Sequence, residues 1–254
     1  NDFGEGASCA VANGTVLVPW DHEGDSALYA LDAGTGETKW KVDRDERTTW
    51  TTPVVTRVNG TDQVLMPGTN ACIAYDLKSG KELWRTKGLT VNVIPTTIVK
   101  DGIAYMTSGY RGSSLVAIDL AKASAGAGND AILWEHDRAT PYVPSPALLG
   151  DDIYFLRSNS GVLSSINIDT GKPNYQGQRL DDVRNVYSSI GIAAGHLFIC
   201  GREGGTAIVK AGDNFELVRI NRLDEGINAS PVFVGGDLLI RTRSTLYCFS
   251  KAGA

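Results

Sequence analysis

Apolar residues along this chain fall in runs of four to seven, each bounded by Gly, Asp or Asn, and nowhere do they sustain a 3.6-residue period. Runs such as Ile153-Tyr-Phe-Leu156, Leu197-Phe-Ile-Cys200 and Leu238-Leu-Ile240 are β-branched or aromatic and too short for helices, so the pattern predicts strands and almost no helix. One phrase recurs. Ala30-Leu-Asp-Ala-Gly-Thr-Gly-Glu-Thr-Lys-Trp40 returns as Ala74-Tyr-Asp-Leu-Lys-Ser-Gly-Lys-Glu-Leu-Trp84 and as Ile166-Asn-Ile-Asp-Thr-Gly-Lys-Pro-Asn-Tyr175. A stretched copy runs from Ala117-Ile-Asp-Leu120 to Ile132-Leu-Trp134.

A second phrase, a small residue followed by apolar ones ahead of a glycine turn, sets the frame. Aligning Cys9, Pro53, Thr96, Pro146, Ile190 and Pro231 gives spacings of 44, 43, 50, 44 and 41. The long spacing is explained by Ala121–Asp130, a Gly/Ala-rich insertion in place of a tight turn. A period of forty-odd residues with four short strands per unit, here A to D, predicts propeller blades. The expected fold is one all-β β-propeller domain over 1–254, with blades near 7–44, 50–87, 93–137, 143–180, 187–223 and 228–250. Five repeats are complete and the sixth lacks its outer strand. Either a six-bladed ring closes on a three-stranded blade, or the chain is a fragment of a seven- or eight-bladed propeller; the unfilled edge favours the fragment.

Each phrase has a local reading. The glycine of Thr/Ser-Gly takes a positive-φ position between strands C and D. The aromatic four residues later then sits on strand D, so Trp40, Trp84, Trp134 and Tyr175 are expected to pack between blades. In the fifth repeat the phrase degrades to Ala211-Gly-Asp-Asn-Phe-Glu-Leu-Val218, leaving Phe215 or Val218 to fill that space.

Strand alternation sorts the loops onto two faces. A–B and C–D turns are short; B–C loops and D–A connections are longer and chemically mixed. Function resides most often on loops held by a rigid scaffold, and the mixed face carries the candidate ligand-binding residues. Trp50, Asn92, Tyr142, Tyr187 and Asn228 precede successive A strands and are expected to ring a channel mouth. Arg111, Arg157, Arg202 and Arg241 or Arg243 follow successive B strands. Aromatic and amide groups surrounded by arginines suit a polar or anionic ligand such as a glycan; protein partners are the other expectation.

Charge and cysteines narrow the classes. A net charge of −5 argues against nucleic acid, which needs a Lys/Arg excess. No apolar run approaches the roughly 18 residues of a membrane span. Cys9, Cys72, Cys200 and Cys248 form no C-x-x-C pair, and the last three lie in apolar runs as expected small buried hydrophobes. His22, Glu23 and Asp25 share a Gly loop, where a solvated cluster is expected rather than a metal site, and no catalytic or metal residue is assigned.

The repeated phrases resemble the PQQ-type β-propeller repeat of quinoprotein alcohol dehydrogenases and of the BamB family, over essentially the whole chain. More narrowly, Trp20-Asp-His-Glu-Gly-Asp25, Asp43-Arg-Asp-Glu46, Ser108-Gly-Tyr-Arg-Gly112 and Leu223-Asp-Glu-Gly-Ile227 resemble secreted bacterial, planctomycete-like PQQ-repeat proteins. The resemblance implies a periplasmic or secreted protein whose leader lies outside this chain. It also implies an alternative: a PQQ-dependent oxidoreductase of alcohols or sugars, with PQQ and calcium as cofactors. Such enzymes use adjacent cysteines near the quinone, a stacking Trp and a Glu/Asn/Asp set on calcium. No adjacent cysteines occur here and Trp50 is the one stacking candidate, so the expected function is a non-catalytic binding or scaffold propeller without a cofactor.

Overall fold

The computed structural model describes residues 4–250. The chain forms six antiparallel sheets, each a simple up-and-down meander. The first holds β1 (Ala10–Ala12), β2 (Thr15–Trp20), β3 (Ala27–Asp32) and β4 (Thr38–Asp43); the second holds β5 (Val54–Val58), β6 (Thr61–Met66), β7 (Ala71–Asp76) and β8 (Glu82–Lys87). The third runs from β9 (Ile98–Lys100) through β10 (Ile103–Ser108) and β11 (Ser114–Asp119) to β12 (Ile132–His136). The fourth comprises β13 (Ala147–Leu149), β14 (Asp152–Leu156), β15 (Val162–Asn167) and β16 (Pro173–Arg179). The fifth comprises β17 (Gly191–Ala193), β18 (His196–Cys200), β19 (Gly205–Lys210) and β20 (Glu216–Arg222), and the sixth has only β21 (Val232–Val234), β22 (Asp237–Arg241) and β23 (Leu246–Phe249). Five sheets of four strands and one of three agree with the expected all-β propeller class. By its contacts the chain groups into two compact units, Asn1–Thr140 and Pro141–Ala254, with three sheets in each.

The expected scarcity of helix holds outside the insertion. There, α1 (Leu120–Ser124) and a 3-10 turn (Gly128–Ala131) replace the tight C–D turn. The same chemistry begins both. Asp32, Asp76 and Asn167 fold their side chains back onto backbone N–H groups of Thr35, Ser79 and Thr170, closing an Asx turn. Asp119, at the corresponding place, accepts from Lys122 N and so caps α1.

Each complete blade carries a shift in the C–D ladder, and in the first four it lies beside one recurring juxtaposition. Trp40 lies opposite Ala30, Trp84 opposite Ala74, Trp134 opposite Ala117 and Tyr175 opposite Ser165. A small residue on strand C leaves room for the large ring on strand D. Trp40 reaches the next blade, donating from Nε1 to Leu77 O at 3.0 Å. Its indole lies so close to Gly80 that a Cβ there would stand 2.8 Å from ring carbons, and Gly80 also has φ +73°. Glycine is therefore required twice over in that turn. Trp84 is buried among the second and third blades, and Tyr175 meets Phe215 of the fifth edge-on at 5.8 Å. Within each unit the core consists of such seams between successive sheets.

Two expectations are corrected. In the fifth blade the register puts Arg219, not Phe215 or Val218, opposite Ile208 at the aromatic's position. Here the small-large pair is replaced by a branched residue and a charged one; Phe215 packs back toward the fourth blade, and Val218 is 52% exposed. Cys72 and Cys200 are buried free thiols, but Cys248 is exposed. It pairs with Leu239 as Ala74 pairs with Leu65, so it occupies the position that a fourth strand covers elsewhere. Among the described residues no strand lies on that side of β23.

Candidate functional site

The two edges of the blades differ in what their polar groups do. On the A–B/C–D edge the groups serve the turns themselves. Asn13-Gly14, Asn59-Gly60 and Asp101-Gly102 all adopt positive φ at both positions, the twist that two-residue hairpins require. The C–D connections then bond back to them or just beyond, Ala33 N to Gly14 O, Leu120 N to Gly102 O and Leu77 N to Asp62 O. On the B–C/D–A edge side chains tie loop to loop, and several remain exposed.

In the unit Asn1–Thr140 that edge is anchored by a buried polar cluster. Arg44 donates from Nε to both oxygens of Asp21 at 2.9 and 3.1 Å and from Nη1 to Tyr75 Oη at 3.0 Å. Thr49 Oγ1 donates to the same carboxylate. The Arg44 and Asp21 side chains have no exposure at all. Burial works against the guanidinium's charge, yet the Asp21 carboxylate beside it holds the Arg44 pKa above its usual value. Next to it, Glu46 accepts from the backbone N–H groups of Thr69, Asn70 and Ala71 at 2.8–3.2 Å, fixing the B–C loop of the second blade.

In the unit Pro141–Ala254, Glu225 does the same for the sixth blade. It accepts from Ser244 N at 3.0 Å, Ser244 Oγ at 2.5 Å and Thr242 Oγ1 at 2.7 Å. Both glutamates lie in stretches that carry the family resemblance, and neither is among the candidate ligand-binding residues. The signal was present: each follows an aspartate, and each stands six residues beyond the strand-D position held by Trp40 or Arg219.

The two carboxylates titrate in opposite directions. Burial raises the Glu46 pKa, whereas hydrogen bonds from Ser244 bring Glu225 down to about 2. The Glu225 bonds therefore contribute stability above the ordinary carboxylate pKa, and this is lost as pH falls through about 2. The ionised form of Glu46 is disfavoured by folding, so its contribution falls as pH rises from the ordinary value to the folded one. Carboxyl NMR titration of the folded protein is expected to show Glu46 protonating before Glu225 as acid is added. The reverse order contradicts the two environments.

The sequence-predicted residues are distributed as follows. Trp50 and Asn92 come together: Thr49 and Val93 bridge in parallel, Trp50 N donates to Val93 O at 2.8 Å, and Thr48 Oγ1 donates to Asn92 Oδ1 at 2.9 Å. The Trp50 indole is engaged, with Nε1 on Gly4 O at 3.0 Å and its ring against Gly6. Arg111, with φ +52°, is exposed over its neighbour Tyr110. Tyr142 is half-buried with its backbone on Ser158, and Arg157 is exposed. Arg202 stacks on Tyr187 at 4.6 Å, and Tyr187 is 42% exposed. Asn228 and Arg243 are exposed singly, and Arg241 ends β22.

Beside the Tyr187–Arg202 pair lies a cavity of about 520 Å³, walled by Ser158–Val162 of the fourth blade and Arg179–Asn185 of its connection to the fifth. Its walls are held by backbone. Leu180 N donates to Gly161 O, Val186 N to Asn159 O and Arg202 N to Arg184 O. A Cβ on Gly161 would fall 1.9 Å from Val183 O, so only glycine admits this approach of the two chains.

Among the described residues no three His, Cys, Asp or Glu side chains gather as a metal-holding group, and the Trp50 indole lies against the Gly4–Gly6 segment. His22 Nδ1 accepts from Gly24 N within its own loop. No helix among the described residues is long and apolar enough to cross a membrane.

Comparison with known proteins places these features. Residues 24–253 match the PQQ-repeat family described as outer membrane protein assembly factor BamB. No curated protein sequence matches. Among solved structures, BamB from Moraxella catarrhalis superposes with a TM-score of 0.60 at 13% identity, over 98% of this chain and 84% of that one. A europium-containing methanol dehydrogenase gives 0.65 at 15% identity, over 92% of this chain and 55% of the enzyme. A quinohemoprotein alcohol dehydrogenase from Comamonas testosteroni gives 0.60 at 14%, over 87% of this chain and 43% of the enzyme. At these identities the likeness is one of fold.

Proposed function

The chain belongs to the PQQ-repeat family described as outer membrane protein assembly factor BamB, and from that premise we propose that it is a non-catalytic binding or scaffold propeller acting outside the cytoplasm. Its ligand lies on the edge made by the B–C loops and D–A connections. Trp50, Asn92, Arg111, Tyr142, Arg157, Tyr187, Arg202, Asn228 and Arg243 supply contacts there, each within its own unit. The observation that carries this reading is the exposed Tyr187–Arg202 stack beside a cavity, on the edge where the loops diverge from one blade to the next. A rigid aromatic face with a guanidinium against it offers apolar area and charge-assisted bonding at low entropic cost. The opposite edge has its polar groups engaged in repeated turns.

Isothermal titration against neutral and acidic oligosaccharides and peptides of either charge tests the proposal. The protein is expected to bind at least one class with Kd below about 1 mM. Replacing Tyr187→Ala and Arg202→Ala together is expected to weaken that binding at least about ten-fold, the loss of roughly 1.4 kcal/mol. Absence of any binding, or unchanged affinity in the double variant, overturns the reading. So does dye-linked turnover of alcohols or sugars after incubation with PQQ and calcium.

A further inference from the structure

We propose that the cavity between the B–C loop of the fourth blade and the connection to the fifth binds an acidic saccharide through the carboxylate and neighbouring hydroxyls of a uronate residue. The proposal rests on the binding-edge reading above and names its ligand class.

The first argument is charge. Arg179 and Arg184 both line the cavity, and among the described residues neither guanidinium has an acid partner. The nearby acids are differently placed. Asp182 pairs with Arg222 at 3.2 Å, and Glu203 accepts from Asn185 Nδ2 at 3.2 Å. Asp181, also in the lining, has no partner among the described residues. Counting Arg179, Arg184, Arg202 and Arg222 against Asp181, Asp182 and Glu203 leaves a single net positive charge, which complements a monoanion. A bare divalent anion would face Asp181 as well as the arginines. Planar guanidinium groups match a carboxylate in shape and bond it with charge assistance.

The second argument is the mixture of unused donors and acceptors. Asn159 Oδ1 is taken by Val143 N, which leaves its NH2 group as a donor. Asn185 has committed its NH2 group to Glu203, which leaves its Oδ1 as an acceptor. The hydroxyl of Ser158 can do either, and Asp181 accepts. An inorganic anion uses donors only. A ligand that both donates and accepts beside its charge is a hydroxylated acid, and a sugar acid presents that pattern on one ring.

The third argument is size and preorganisation. About 520 Å³ falls within the roughly 300–1,000 Å³ usual for small-molecule sites. The walls are fixed by the close approaches at Gly161 and Gly205, where an added Cβ would stand 1.9 Å from Val183 O and 2.2 Å from Asp182 O. Little ordering is then left for the moment of binding. Arg202, whose N–H bonds the carbonyl of the lining residue Arg184, carries the stack on Tyr187.

The test uses the trimer of galacturonic acid, a neutral galactose trimer, free galacturonate and sulfate, titrated into the protein by calorimetry. The acidic trimer is expected to bind with Kd below about 1 mM and to weaken as salt is raised. The neutral trimer is expected to bind at least about ten-fold less tightly, and Arg179→Ala and Arg184→Ala each to lose about ten-fold for the acidic trimer. Both arginines are exposed, so the variants should unfold at the wild-type temperature, which is checked in parallel. Equal affinity for neutral and acidic trimers, or wild-type affinity in both arginine variants, overturns the assignment. Sulfate or free galacturonate matching the trimer also overturns it, marking a general anion or small-acid site. If a ligand is lost in Tyr187→Ala but kept in both arginine variants, the cavity assignment falls while the binding edge stands.

Discussion

Arg44→Met is expected to destabilise the unit Asn1–Thr140 by about 3–5 kcal/mol, because it leaves the Asp21 carboxylate buried without its counter-charge. Both side chains of the pair are fully buried. Thr49 still donates to Asp21 in the variant, but one hydroxyl does not neutralise a carboxylate. Tyr75 Oη loses its partner at the same time. The native pair is not a large net stabiliser: Arg44 Nη2 finds no hydrogen-bond partner among the described residues, and desolvation offsets much of the attraction. For that reason a second change, Asp21→Leu on top of Arg44→Met, is expected to restore much of the stability. Urea unfolding of the two single variants and the double variant measures this directly. Additive losses in the double variant would contradict the explanation.

Trp84→Ala carries an expected cost of similar size, about 3–5 kcal/mol for removing a large aromatic from a packed core. Trp84 is 4% exposed and packs with Leu65, Ala74, Met106 and Leu120 at the seam between the second and third blades. Its Nε1 donates to Gln63 Oε1 at 2.8 Å; Gln63 Nε2 donates to Ser124 Oγ at 2.9 Å, and Ser124 donates to Leu120 O at 2.7 Å. The ring therefore holds two sheets and α1 through one chain of bonds. Trp84→Phe keeps most of the packing but strands a buried glutamine oxygen, a loss of about 1–3 kcal/mol. Denaturant midpoints that rank wild type, Phe and Ala in that order support the seam; equal midpoints for Phe and wild type remove the hydrogen-bond chain from the account.

The repeats were legible because a strand's register and a turn's φ are local properties. Thr35-Gly36 and Ser79-Gly80 announce their turns in the sequence, and Gly36 and Gly80 have φ +77° and +73°. The aromatic four residues later follows from strand alternation alone. What misled was the degraded fifth copy. With no Gly-x-x-x-Trp to count from, its register had to come from the ladder, which places Arg219 opposite Ile208. Cys248 misled for a related reason: an apolar run predicts a strand, while burial depends on whether a neighbour covers it.

The candidate site was legible only as an edge. The sequence supplied Tyr187 and Arg202 as members of two separate loop series, but their 4.6 Å stacking depends on how the fourth-to-fifth connection folds against the fifth blade. Arg179 and Arg184 belonged to no series, and neither did Asp21 with Arg44. Each pair or cavity is made by residues from different loops, and composition says nothing about which loops touch.

By itself, then, the sequence determined the period, the strands, the turn chemistry and the blade class, because these rest on alternation, glycine conformation and short-range hydrogen bonds. Only the tertiary structure decided which carboxylates anchor loops, which arginine is buried and which arginines stand unpaired around a cavity. Those outcomes turn on distances between residues of different loops, as between Asp21 and Arg44 or Arg184 and Arg202, and the packing of sheets sets them.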